Sequence, residues 1–320
     1  MIHHLRSMWQ RAVASSSHKQ HRIGANLFRI GVGITILWQY MNVYPYRQLL
    51  FGPDGVLPSS HFVQYLDQSG SFSLYALAPS SMLFELIFLV SMAVTFVWMV
   101  GWQTRVTTPL TWLCLWSIHQ RNPAVWDGGD NLIQIVLIFA FFIDLSPLRR
   151  LHSKEDTAGA QIAAQVHNAA VLAVGLQLCL VYAAAGLYKV QGALWQSGTA
   201  LSYILRVGDF AWTGYGALLS QYSDVGVLLT YGTIAFQISF PFLFLLGSNT
   251  RRIALVGGVC FHLGIAIAMG LTTFAAFLIC IELLFISDRD YLHALQGSRR
   301  LWHRLTAYGT QMRAWLLTTR

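Results

Sequence analysis

Eight apolar runs divide this 320-residue chain, near residues 23–42, 82–100, 106–119, 131–145, 168–188, 226–246, 252–270 and 272–287. A helix needs about 20 apolar residues to cross the hydrocarbon of a bilayer. Backbone that crosses lipid must satisfy its own hydrogen bonds, which leaves helices or closed barrels. Runs of this length select helices. The expected fold class is therefore all-α, a polytopic membrane helical bundle with about eight transmembrane helices. The third and fourth runs are short for a full crossing and are expected to pass through protein-lined, partly wet space. Pro241 is expected to bend the sixth. No internal repeat and no low-complexity segment interrupts the series.

Charge supports the same reading. Only 11% of the residues are charged, against about 25% in a soluble domain, too few to cover a water-facing surface of this size. The net charge of +8 does not point to nucleic acid, because the basic residues fall in short hydrophilic breaks rather than on one block. With the N-terminus in the cytoplasm, sixteen Lys and Arg lie on the inner breaks and four, Arg47, Arg121, Lys189 and Arg206, on the outer ones. The positive-inside rule then predicts a multi-pass cell-membrane protein with both termini cytoplasmic. Residues 1–22 form a basic N-terminal segment, 23–290 the membrane domain and 291–320 a basic tail. The tail carries Arg299, Arg300, Arg304 and Arg313 among Trp302, Leu305, Trp315 and Leu316, and reads as an amphipathic helix on the inner leaflet. The first run is too long for a signal-peptide core and is read as a retained span. Cys114, Cys179, Cys260 and Cys280 all lie in apolar runs without metal-ligand spacing, so they read as small packing residues, and no metal is expected.

Ionisable residues at membrane depth are functional candidates, and several gather at the outer ends of the runs. Glu85 opens the second run; His119, Arg121 and Asn122 close the third; Asp127 and Asp130 open the fourth. Tyr182 and Lys189, seven residues apart, share one helical face, with Ala183-Ala-Ala-Gly186 between them. Structural readings stand beside the functional ones. Asp130 suits a helix cap, Arg121 suits an ion pair with Asp127 or Asp130, and Lys189 suits a snorkelling anchor. Arg29 with Asn26 reads as an interhelical contact, His262 as a satisfied core residue, and Glu282 as a boundary residue. Two long outer segments, 43–81 and 189–225, read as structured, partly membrane-seated loops.

Four passages carry a resemblance. They are Leu27-Phe-Arg-Ile30 leading to Phe51-Gly-Pro-Asp-Gly-Val-Leu-Pro58; Arg121-Asn-Pro-Ala-Val-Trp-Asp-Gly-Gly-Asp130; Tyr182-Ala-Ala-Ala-Gly-Leu-Tyr-Lys189 running on to Trp195-Gln-Ser-Gly-Thr-Ala200; and Phe261-His262. In order and spacing, over roughly residues 22–290, they resemble the HTTM (horizontally transferred transmembrane domain) family. Its animal relative is the vitamin K-dependent gamma-glutamyl carboxylase. The resemblance implies Lys189 as the general base that deprotonates a membrane quinol of the vitamin K or menaquinone type, in a pocket shaped by Tyr182, Gly186, Trp195 and His262. Such a lysine must be neutral to accept a proton, which a poorly solvated pocket favours. Asp130 stands where the carboxylase has a catalytic histidine, and with Arg121 it would orient substrate or stabilise charge.

This sequence ends soon after its last apolar run, so the large extracytoplasmic domain of the carboxylase is not expected. Its length and its Asp-Gly-Gly-Asp passage resemble a bacterial branch that includes the membrane maturation factor of a sporulation-delaying toxin system. That branch implies a secreted peptide precursor as substrate and a small accessory maturation protein as partner, besides the lipid bilayer. The competing expectation is a non-enzymatic membrane chaperone, export or immunity factor, with Lys189 an anchor and Asp130 a cap.

Overall fold

A computed structural model describes residues 18–148, 157–208 and 223–297 of the protein. The basic tail positions Arg299, Arg300, Arg304 and Arg313, and Arg6, Arg11, Arg149, Arg150 and Lys154, lie outside the described residues. Every regular element among the described residues is helical. In chain order these are α1 (Arg22–Val43), α2 (Arg47–Phe51), α3 (Ser59–Ser69), α4 (Ser81–Val100), α5 (Thr104–Arg121), α6 (Gly128–Ala140) and α7 (Ala158–Gln191). There follow α8 (Ala193–Gln196), α9 (Ala200–Ile204), α10 (Ser223–Leu246), α11 (Ser248–Met269) and α12 (Thr272–Leu284), and residues 288–297 are helical as well. Short 3-10 turns at Tyr44–Tyr46, Leu74–Leu77 and Pro123–Val125 complete the outer segments.

Four of these helices are long and apolar enough to cross a membrane: α4, α7, Asp224–Leu246 of α10, and α11. The helices α6 and α12 are apolar but shorter. In α1 and α5, polar side chains interrupt the run, and these turn inward: Asn26, Arg29, Thr107, Thr111, His119 and Arg121 are all buried. Large apolar residues turn the other way, as with Leu172, Leu176 and Leu180 at one-turn spacing along the outside of α7. A polar interior behind an apolar exterior suits a lipid surround.

The eight long helices form a ring in which α7, α10, α11, α12, α1, α4, α5 and α6 touch in that order, and α6 closes back on α7. The α12 helix also reaches across to α6. Glycines permit the closest approach: Gly24 of α1 lies on the Leu284 carbonyl and Gly31 on the Cys280 sulfur, leaving no room for a Cβ. All four thiols are free; three are buried, whereas Cys260 is exposed.

Local chemistry fixes the ends. The last turn of α4 leaves carbonyls without helical donors. Arg29 fills that role, donating from Nη1 to the Trp98 carbonyl at 3.1 Å and to the Met99 carbonyl, while Asn26 accepts from Nη2 at 3.2 Å. Gly101 then turns the chain at a φ of 91°. The fourth apolar run, expected to reach residue 145, stops being helical at Ala140, although Ile143 and Leu145 remain in the core. The fifth begins ten residues early, at Ala158, because its Ala-rich start favours helix without being strongly apolar. Helix α10 continues through Pro241, and α5 through Pro109.

Candidate functional site

Helices α7 to α12 enclose a cavity of about 590 Å³. From α7, Tyr182, Ala185 and Lys189 face it, at the three- and four-residue spacing of one helical face. Past the end of α7 the chain turns at Gly192, whose N–H donates to the Lys189 carbonyl at 3.0 Å. That turn brings Trp195 back over Lys189, with the ammonium 5.0 Å from the indole centroid. Among the described residues no carboxylate lies within ion-pair distance of Lys189. The remaining wall is largely apolar, from Leu201, Leu229, Ile265 and Phe274, apart from Thr233, Gln237 and His262. The Gln237 Oε1 is buried without a partner.

A polar cluster underlies the cavity. The Tyr182 hydroxyl donates to Glu282 Oε1 at 2.6 Å, and His262 Nδ1 lies 3.1 Å from the same oxygen. Tyr182 stacks on Phe240 with ring centroids 3.7 Å apart. Glu282 is fully buried, and Gly258 of α11 faces its carboxylate so closely that any Cβ would collide. Glu282, expected at a boundary, instead sits between three helices. A buried carboxylate of this kind requires partners, and Tyr182 and His262 supply them on one oxygen only; Oε2 has none.

Arg121 and Asp130 belong to a second cluster. Asp127 and Asp130 form a reciprocal capping box at the start of α6: Asp127 accepts from the Gly129 and Asp130 N–H groups, and Asp130 Oδ2 accepts from the Asp127 N–H at 2.9 Å. Gln39 donates to Asp130 Oδ1 at 2.5 Å, and His119 Nε2 lies 3.9 Å from that oxygen. His119 Nδ1 meets Gln134 Nε2, and its ring lies 4.2 Å from Trp126. Arg121 makes none of the expected ion pairs with Asp127 or Asp130. It points instead into the 43–81 segment, where Nη2 donates to the Gly52 and Leu57 carbonyls at 2.6 and 2.7 Å above the Phe62 ring.

The family model for the HTTM domain matches residues 25–289. The chain belongs to the HTTM family. It is 24% identical to the uncharacterized protein YitO of Bacillus subtilis (strain 168) over 254 residues, covering 77% of this chain and 82% of YitO. It is 26% identical to the sporulation-delaying protein SdpB of the same organism over 218 residues, covering 67% of this chain and 65% of SdpB. No solved structure gives a significant match. With its apolar helices, the HTTM domain identifies a membrane protein related to SdpB.

In this HTTM chain, Lys189, Tyr182, Trp195 and His262 line one cavity, brought there by three helices and a turn. Gly186, on the same helix, instead lies against Ile238 and Gln237 and lets α7 and α10 approach. Asp130 and Arg121 are not among the residues lining the cavity. The two clusters meet at Phe274: Gly129 sits on its backbone, and the His262 ring lies 5.9 Å from its ring. Sequence reasoning read Glu282 as a boundary residue and passed over Gln237. The signal available for both was a polar side chain inside an apolar run.

Proposed function

We propose that this HTTM protein is a multi-pass cell-membrane maturation factor for a secreted peptide precursor, with Lys189 as general base in the α7–α12 cavity. The observation that carries the reading is the side-chain nitrogen of Lys189, which faces a largely apolar cavity and, among the described residues, lies against the Trp195 ring with no carboxylate to hold it charged. A base in such a site works on a proton brought within about 3 Å of it. Tyr182 and His262, both held by Glu282, border the space where that group would lie.

All eight ring helices are spans in this reading, and the sixteen-to-four distribution of basic residues supports cytoplasmic termini. The cavity suits a membrane quinol. Trp195 and Phe274 both line the cavity and offer aromatic surface to a flat apolar head, and the unpartnered Gln237 Oε1 and the Lys189 nitrogen offer groups for its hydroxyls. Bound there, a quinol would supply two-electron, two-proton chemistry. Asp130 and Arg121 act through structure, holding the outer ends of α5 and α6 and the 43–81 segment against them. A small accessory protein is the expected partner, by likeness to the branch that includes SdpB.

A second reading, binding without chemistry, is favoured by one observation: no carboxylate lies within ion-pair distance of Lys189 among the described residues. The exact mass of a secreted peptide encoded beside the gene separates the two. Cells would carry either wild-type protein or Lys189→Ala at equal membrane abundance. A gain of one carbon dioxide that disappears with Lys189→Ala would establish carboxylation. A shortened or otherwise altered peptide, again dependent on Lys189, would establish maturation by other chemistry. Equal masses would leave only the binding reading.

A further inference from the structure

At the opposite end of α11 from His262, a second cavity of about 580 Å³ runs between the start of α11 and the end of α12. It shares only Cys260 with the Lys189 cavity. Its lining changes character along its length. His21, Ser248, Arg251 and Arg252 stand at one end, and Leu255, Val256 and Val259 continue along α11 towards Cys260. From Ser248 to Cys260 the helix advances about 18 Å at 1.5 Å per residue.

The two arginines differ. Arg252 is engaged: Nη2 lies 2.9 Å from Asp290 Oδ1, Nε donates to Oδ2 of the same carboxylate, and Nη1 donates to Asn249. Arg251 uses only Nε, which donates to the Phe244 carbonyl at 3.0 Å while its guanidinium carbon lies 5.1 Å from the Phe244 ring. No described carboxylate is within ion-pair distance of Arg251. Its position is fixed through Nε, and both terminal nitrogens remain for a ligand. Asp290 is the carboxylate lining the crevice, and Arg252 offsets it, so the charged end is net positive.

We propose that this crevice holds an anionic phospholipid, its phosphate on Arg251 beside Ser248 and an acyl chain along Leu255, Val256 and Val259. A free phosphate would use the charged end and leave the apolar length bare. A phospholipid matches both. The apolar wall is continuous with the outer surface of α11, where Ile253 and Val256 are 63% and 65% exposed, so a chain enters sideways from the bilayer. Basic pockets between membrane helices take acidic headgroups on the same grounds.

The test counts lipids retained by the full chain in detergent, using native mass spectrometry with phosphatidylglycerol or phosphatidylcholine of identical acyl chains. One phosphatidylglycerol retained preferentially is the expected result. Arg251→Gln should weaken retention about fivefold, the factor that about 1 kcal/mol per basic residue gives at an anionic surface. Ser248→Asp should abolish it. An acid in the first turn of a helix is favourable to the helix itself, so this variant keeps its thermal midpoint while placing a negative charge beside the phosphate. Arg105→Gln removes an equal charge at the start of α5 and should change nothing. Equal weakening by Arg105→Gln and Arg251→Gln would mean diffuse attraction and overturn the proposal. Displacement of the lipid by glycerol phosphate at matching concentration would identify a plain anion site and overturn the lipid assignment. Equal retention of the two lipids would overturn both.

Discussion

The Tyr182 hydroxyl and the Glu282 carboxylate, one hundred residues apart, meet at 2.6 Å and tie the helix of the cavity lysine to the last helix of the ring. His262 joins them from α11 at 3.1 Å. Two helices that share no loop with α7, α11 and α12, are thus held to it at one buried carboxylate. Lys189 extends from the same helix two turns beyond this anchor.

Tyr182→Phe removes the donor yet keeps the ring stacked on Phe240. Glu282 is then left with His262 alone. A buried acceptor deprived of its partner costs about 1–3 kcal/mol, so the thermal midpoint in detergent should fall. An unchanged midpoint would show that the bond contributes nothing to stability.

Lys189→Ala should behave in the opposite way. Among the described residues the side-chain nitrogen of Lys189 meets the Trp195 ring, and such a contact at a half-exposed site is worth about 0.5–1 kcal/mol. Loss of peptide maturation with a nearly unchanged midpoint is the expected result. A drop as large as that of Tyr182→Phe would make Lys189 a structural anchor.

Arg121→Leu strands two buried carbonyls, those of Gly52 and Leu57. The 43–81 segment should loosen, and limited proteolysis should cut within 52–57 faster than in wild type. Equal cleavage rates would mean that other contacts hold the segment. Lys189 lies outside this contact set, so its reactivity towards an amine label should not change.

Low pH should weaken the junction between the N-terminal segment and the turn after α6. Burial alone pushes the Asp144 carboxyl upward. The hydrogen bond from Lys19 at 2.5 Å, two from Ser146 and the Lys19 charge outweigh it and hold the group at about 2. An ordinary aspartate titrates near 3.9. The folded value is the lower one, so this stabilisation is full above about pH 4 and disappears as pH falls through about 2. Melting curves across that window should flatten in Asp144→Asn relative to wild type.

The helices of the ring were legible because an apolar run marks each, even in α1 and α5 where inward polar side chains interrupt it, and length decides that without any knowledge of neighbours. Tyr182 and Lys189 were legible as partners because a helix repeats its face locally. A cap at the start of α6 was legible for the same reason, although the sequence pointed to Asp130 and the structure puts Asp127 at the N-cap with Asp130 as its partner three residues on. What lay outside reach was non-local. Glu282 looks like a boundary residue until α7 and α11 are placed beside it, and Arg121 looks like a partner for the nearby aspartates until the 43–81 segment folds onto it. Asp130 and Lys189, neighbours in any list of polar residues, end in separate clusters because α6 meets α7 away from the cavity lining.

The seam between α1 and α12 has a consequence for biogenesis. Synthesis delivers α1 first and α12 last of the eight, so the surface of Gly24 and Gly31 stays uncovered through almost the whole of translation. Arg29 finds its acceptors as soon as α4 arrives, but Tyr182 and His262 wait for Glu282 until the final helix enters. A chain stopped short of Thr272 lacks both the α12 surface and the Glu282 carboxylate, so the ring stays open between α11 and α1 and Tyr182 and His262 have no shared acceptor. The last helix is therefore the step that commits the nascent protein to its assembled state.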